Sequence, residues 1–324
     1  MFRFKRAPGK RVRNRTVGKG LVMRKHALAG VFVLLAVALG VAYAAWSATV
    51  QGVELLFDSA GWLVWLAPFA GALSAGATKR TDPVIEGDKV LRHDGAAILE
   101  HWTHGVGTAV LLVSGIALGF LFVPALVGSG EPVRAIMNLH FVSVVVFLFG
   151  TFYYGANTLL APKRFKEHLP TGDAIGFTKR HYGRLLGFKG LTMPPERKYF
   201  ESEKMAYLLA LGATGAVIVS GLLKVAAHSL NVPAIVMTVA TPLHDIATVA
   251  MLAFFLAHVF FAAILPMSWP VLGSMFTGYV SLEHAEAEHA GWLEELRSSE
   301  AGTAQTVRPA IWSTDESEGI RNHG

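Results

Sequence analysis

Cysteine is absent from the 324 residues. That excludes disulfides, iron–sulfur clusters, thiolate zinc sites and covalently attached c-type haem. Charge is scarce as well: Asp, Glu, Lys and Arg make up 16% of the chain, against about a quarter in an ordinary soluble domain. No Walker-type phosphate loop and no internal repeat is present. What there is instead is apolar surface, with 52% hydrophobic residues and a mean hydropathy of +0.44. Several runs reach about the 20 residues needed to cross about 30 Å of hydrocarbon. They do not alternate apolar with polar, which excludes barrel strands and leaves helices. The sequence predicts an all-α integral membrane protein.

Six apolar segments cover roughly residues 27–47, 59–77, 97–124, 135–160, 204–227 and 234–265. The second is short and interrupted by Pro68, so a re-entrant or interfacial segment is its alternative reading. The first begins in a basic leader and ends near Ala-Tyr-Ala, so it reads as a retained anchor or, alternatively, a signal peptide. Lys and Arg number ten in the first 25 residues, four over 78–96 and ten over 161–204; the three intervening connections hold only Arg134. Positive loops stay inside, which puts both termini and the polar tail in the cytoplasm. The net charge of +6 lies in these blocks between spans, so it points to membrane orientation and not to nucleic acid.

Thirteen histidines remain to be explained. His26, His168, His181, His284, His289 and His323 lie in polar stretches, His93 precedes a span and His228 follows one; these read as solvated or interfacial. His101, His104, His140, His244 and His258 lie inside spans, where ionisable groups are rare and mark functional paths. On the orientation above, His101 and His258 sit in the inner half of the membrane, and His140 and His244 in the outer half. His244 and His258 are fourteen residues apart, which places them on one helix face about 21 Å apart at about 1.5 Å per residue. Two inward pairs of imidazoles suit two b-type haems, each iron held by one histidine of the sixth span and one from another helix. Zinc or di-iron would want carboxylates or thiolates that the spans lack. His104, one turn from His101, has three readings: alternative ligand, propionate contact or quinone-pocket wall. Small-residue stretches, "GVGTAVLLVSGIALG" and "GATGAVIVSG", allow close approach of helices or of a flat macrocycle.

The segments "EHWTHG", "NLHFVSVVVF", "ERKYFESEKMAYLLALGATGAVIVSGLL", "LHDIATVAMLAFFLAH" and "GSMFTGYVSLEHAEAEHAGWLEEL" occur in that order. Over about residues 90–297 the chain resembles the cytochrome b (gamma) subunit of membrane-bound formate dehydrogenase, within the cytochrome b family of respiratory hydrogenases and thiosulfate reductases. The resemblance implies a four-helix di-haem transmembrane bundle with one or two extra N-terminal spans. It divides the chain into a leader with additional membrane segments (1–90), the di-haem domain (91–297) and a flexible cytoplasmic tail (298–324). It also implies His101/His258 as ligands of the inner haem and His140/His244 as ligands of the outer one. A menaquinone or ubiquinone is expected near the inner haem. The family commonly reads Lys-Tyr-Asn-Ala-Gly-Gln-Lys where this chain has Lys198-Tyr199-Phe200-Glu201-Ser202-Glu203-Lys204, so His104, Ser202 and Glu203 are the candidate quinone or propionate contacts. The implied partners are an iron–sulfur (beta) subunit and a molybdenum or tungsten catalytic (alpha) subunit at the outer face of a prokaryotic inner membrane. The alternatives from the sequence are service to a hydrogenase or a thiosulfate/polysulfide reductase, a proton-coupled transporter, and a haemless assembly anchor.

Overall fold

A computed structural model describes residues 55–78, 80–192 and 195–306. The basic leader, the first apolar segment at 27–47 and the last part of the tail lie outside the described residues. The chain enters through α1 (Leu56–Ala60) and α2 (Trp62–Ala77). The 16 residues of α2 make about 24 Å at about 1.5 Å per residue, shorter than the hydrocarbon core. This helix packs along α4 (Glu131–Leu160). Gly71 is the reason it can: a Cβ there would lie 2.3 Å from the carbonyl oxygen of Phe149. The opposite side of α2 presents Trp62, Trp65, Phe69 and Leu73 outward.

Two hairpins of long helices form the body. The first is α3 (Gly95–Leu118) with α4, the second α7 (Glu201–Ser229) with α8 (Ala234–Val259). Asp94 opens α3 by accepting from the backbone N–H of Ala97 at 2.9 Å, and Glu203 reaches back to the N–H of Phe200 at 2.9 Å to close the first turn of α7. Among the described residues, α4, α7 up to Ala227 and α8 with its continuation to Ile264 are long and apolar enough to cross a membrane. The 24 residues of α3 are long enough too, but His101 and His104 lower its hydropathy. It stops at Leu118, short of the expected 124, because Gly119 turns with φ 82° and Phe120 pairs back on Val123. Each hairpin packs tightly within itself, whereas α3 and α8 touch only briefly across the gap between hairpins.

A small sheet supplements the all-α bundle at the end where α3 begins. A three-stranded antiparallel sheet joins β1 (Ile85–Glu86), β2 (Lys89–Leu91) and β3 (Tyr279–Ser281), with Val90 opposite Val280. It is framed by α5 (Pro162–Glu167), α6 (Ala174–Leu185), α9 (Trp269–Thr277), α10 (Leu282–Glu288) and α11 (Ala290–Thr306). The sheet brings the chain after α9 back under the bundle, where Val90, Val280, Ala285, Trp292 and Leu293 form a small core. Arg92 pins this fold-back. Its guanidinium is 2% exposed, donates to His289 Nε2 at 2.9 Å and to the Lys198 carbonyl, and lies 5.7 Å from the centroid of the Trp292 ring. His289 and His93, read as solvated or interfacial from sequence, are buried, at 0% and 6% exposure.

His289 makes the fold-back sensitive to acid. Its Nδ1–H donates to the Arg197 carbonyl at 2.8 Å, which leaves Nε2 as the acceptor for Arg92. Burial, with the Arg92 charge adding to it, pushes His289 down to about 3. The detached segment takes up a proton below the ordinary histidine value of about 6.5, whereas the docked one does not. Docking is therefore undiminished above that value and weakens as pH falls from about 6.5 toward about 3. Hydrogen exchange of residues 282–296 at pH 7 and pH 5 is expected to show faster opening at pH 5, after correction for intrinsic exchange; His289→Gln should flatten the difference.

Candidate functional site

The inner histidines meet across the gap between the hairpins. The rings of His101 and His258 have centroids 6.1 Å apart, tilted by 55°. Two imidazoles on opposite sides of one metal, each with a bond of about 2 Å, would have centroids about 6 Å apart, so the observed separation admits a single iron. Trp102 Nε1 donates to the Met275 carbonyl at 2.8 Å, tying α3 to α9 beside His101. Immediately after α8 the chain widens into a π-helical turn over Phe260–Ile264, a local distortion common at functional sites. His104 points elsewhere: its ring packs on Phe147 of α4, centroids 4.7 Å apart. Gly150 allows that approach, since a Cβ there would sit 3.0 Å from the backbone nitrogen of His104.

The outer histidines are each held by a serine of the neighbouring helix in their own hairpin. Ser114 Oγ lies 2.8 Å from His140 Nδ1, and Ser220 Oγ lies 3.1 Å from His244 Nδ1. Both serines are fully buried and both donate their O–H to a carbonyl four residues back, Val110 at 2.7 Å and Ala216 at 2.6 Å. With its proton so used, each serine oxygen can only accept, which assigns the N–H to Nδ1 and leaves Nε2 with a free lone pair. That is the form in which a histidine ligates a metal. Gly221 makes room for the His244 ring: a Cβ there would lie 3.3 Å from its Cε1.

The serine contacts also set depth. Moving inward from Ser220 and His244, fourteen residues lead to His258 on α8 and to residue 206 on α7. Moving inward from Ser114 and His140, thirteen residues lead to His101 on α3 and to Tyr153 on α4. Between the two levels stands an apolar layer of Leu112, Ala213 and Met251, flanked by Phe254 and Phe255. Met251 is midway between the two histidines of α8. Open space adjoins several backbone glycines; Cβ atoms at Gly105, Gly115, Gly212 and Gly215 would meet nothing within 4 Å.

The remaining candidates have local duties. Ser202 is buried, at 2% exposure. Glu203 caps α7 and stands 3.9 Å from Arg92. Glu100, beside His101, is occupied by Arg80 at 2.8 Å and Asn157 at 3.2 Å. The sequence reading missed Ser114 and Ser220 as partners of the histidines. Their signal was there: each is the one serine in a small-residue stretch, directly before a glycine.

Among the described residues no group of three or more His, Asp or Glu side chains stands ready for a bare metal ion. The approach of His101 to His258, the free Nε2 atoms of His140 and His244 and the gap between hairpins instead fit a flat, apolar macrocycle whose iron these imidazoles would hold. No curated protein matches the chain. A family match covers residues 92–278, more than half of the chain, and takes in all four paired histidines; by it the chain belongs to the prokaryotic cytochrome b561 family, multi-pass membrane proteins that carry electrons on haem b.

Proposed function

We propose that this chain is the di-haem electron-transfer subunit of a membrane-bound formate dehydrogenase. The observation that supports the reading is the approach of His101 to His258, ring centroids 6.1 Å apart, with His140 and His244 each set by a buried serine at a second level. Haem b, when bound, supplies reversible one-electron storage. The chain's own residues fix where that storage sits: Ser114 and Ser220 orient the outer imidazoles, and the α3–α8 crossing sets the inner pair. Electrons from an iron–sulfur partner enter on the outer side and leave on the inner side to a quinone, which takes protons from the cytoplasm. Inward movement of an electron against a potential of 100 mV corresponds to about 2.3 kcal/mol per charge.

The finer assignment to formate dehydrogenase rests on the stretch Gly278 to Trp292, which resembles that branch and folds back beneath the bundle. Its test is reconstitution. The purified chain should carry two haem b by pyridine haemochrome assay, and formate should reduce them only when its iron–sulfur and molybdenum or tungsten partners are present. Reduction by hydrogen with a hydrogenase partner, and not by formate, would reassign the chain to the hydrogenase branch. A colourless protein would end the reading altogether.

Ser220→Ala is expected to weaken the outer site alone. Loss of an oriented partner to a metal-ligating histidine lowers metal affinity by about 10–100-fold. Faster haem transfer to apomyoglobin from one of the two sites would register it; equal transfer from both sites would show that the serine serves only packing.

A further inference from the structure

Two cavities adjoin one another beside the sheet that carries Arg92. The larger, about 170 Å³, is lined by Arg197, Lys204, Trp292 and Glu295. The smaller, about 40 Å³, reaches Tyr154, His168 and Asn157. They share Pro83, Glu167, Lys198 and Tyr199 as a common wall, and each has room for at least a water, which needs about 10–15 Å³. From that wall a series of protonatable groups runs inward. The Tyr199 and His168 rings lie tilted with centroids 4.5 Å apart, and the His168 and Tyr207 rings 5.1 Å apart. His168 Nδ1–H donates to the Arg164 carbonyl at 2.7 Å, so its Nε2 is free to accept. Tyr154 donates to the hydroxyl of Tyr207 at 2.9 Å.

The end of the series is what gives it meaning. By the residue counts above, Tyr154 on α4 and Tyr207 on α7 stand level with His101 and His258. At one depth, then, the two hairpins are joined on one side by the histidine pair and on the other by the tyrosine pair. Nothing in the histidine arrangement requires this second link, and the groups along it are ones that exchange protons.

We propose that the two cavities and the series Lys198, Tyr199, His168, Tyr207, Tyr154 form the path by which protons reach the acceptor reduced beside the inner histidine pair. This rests on the reading that the acceptor is a quinone. Its reduction takes two electrons, passed on by haem, and two protons, one added to each carbonyl oxygen to make the quinol. The path supplies those protons from cytoplasmic water. Lys198, in the shared wall, is held down to about 8, mainly by burial, with Arg92 and Arg164 adding to it and Glu167 and Asp94 opposing. It therefore exchanges protons close to neutral pH, with the Tyr199 ring 5.2 Å from its ammonium.

The test uses the full-length, haem-loaded chain, reduced with dithionite and then mixed with a water-soluble naphthoquinone or with ferricyanide, which takes electrons without protons. Tyr207→Phe and Lys198→Met should each slow reoxidation by the quinone by about tenfold or more and enlarge its solvent deuterium isotope effect, while ferricyanide reoxidises both at the wild-type rate. The wild-type quinone rate should also fall as pH rises past about 8, and the Lys198→Met rate should not. Wild-type quinone rates in both variants, or equal slowing with both oxidants, overturn the path. A wild-type chain reoxidised by ferricyanide but not by the quinone overturns the acceptor reading instead, and the path falls with it.

Discussion

Replacing His244 by alanine is expected to empty the outer of the two haem sites we propose and to leave the inner one filled. The haem content should fall from two per chain to one, and His140→Ala should give the same result. The expectation follows from geometry. His244 is the only outer histidine that α8 offers, its Nε2 is freed by the contact of its Nδ1 with Ser220, and no Asp, Glu or Met of that helix lies on the same face within a turn inward. A five-coordinate haem on His140 alone would lose one of two axial bonds together with the packing against Gly221. The inner pair lies about 21 Å away along α8 at about 1.5 Å per residue, on the far side of Leu112, Ala213 and Met251. Its reduced spectrum should persist. Pyridine haemochrome counts and redox titration of both variants check this; loss of both haems from either variant would mean that the pairs are not independent sites.

Arg92→Met is expected to release the fold-back beneath the bundle. The arginine is almost fully buried, and its removal leaves the His289 Nε2 and the Lys198 carbonyl without their shared donor and takes a positive charge from beside Glu203. Methionine restores much of the volume but none of the hydrogen bonds. Leaving buried hydrogen-bonding groups unpaired costs about 1–3 kcal/mol each, set against a core of five buried residues around Val90 and Trp292. Proteolysis should then cut within residues 279–296 in the variant and spare the wild type, while the outer haem, at the opposite end of the helices, keeps its spectrum. An uncut variant would show that the sheet pairing of Val90 with Val280 holds the segment without the arginine.

The body of the fold was readable because length and hydropathy act over whole helices. The spans at 135–160 and 204–227 and the apolar run at 234–265 correspond to α4, α7 and α8 with its π-helical turn. The approach of His101 to His258 was readable for a related reason, since helical rise converts residue spacing into depth. The inner face was not. Strands of two and three residues are too short for alternation to show, and the Arg92–His289 contact joins positions 197 residues apart. His289 looked like a solvated side chain because its neighbours in sequence are Glu288 and Glu286; its neighbours in space are Arg92 and Trp292. The end of α3 was overrun by six residues because Phe120, Phe122 and Val123 are apolar, and hydropathy cannot register the turn that Gly119 makes.

The layer of Leu112, Ala213 and Met251 between the two histidine levels has a consequence for energy conversion. Electrons can tunnel through aliphatic side chains, whereas proton transfer needs polar groups or water, and the side chains of these three residues offer neither donor nor acceptor. A bundle carrying cofactors on both sides of such a plug would conduct negative charge while insulating against ionic leakage, so that each turnover leaves the membrane charged like a capacitor instead of short-circuited.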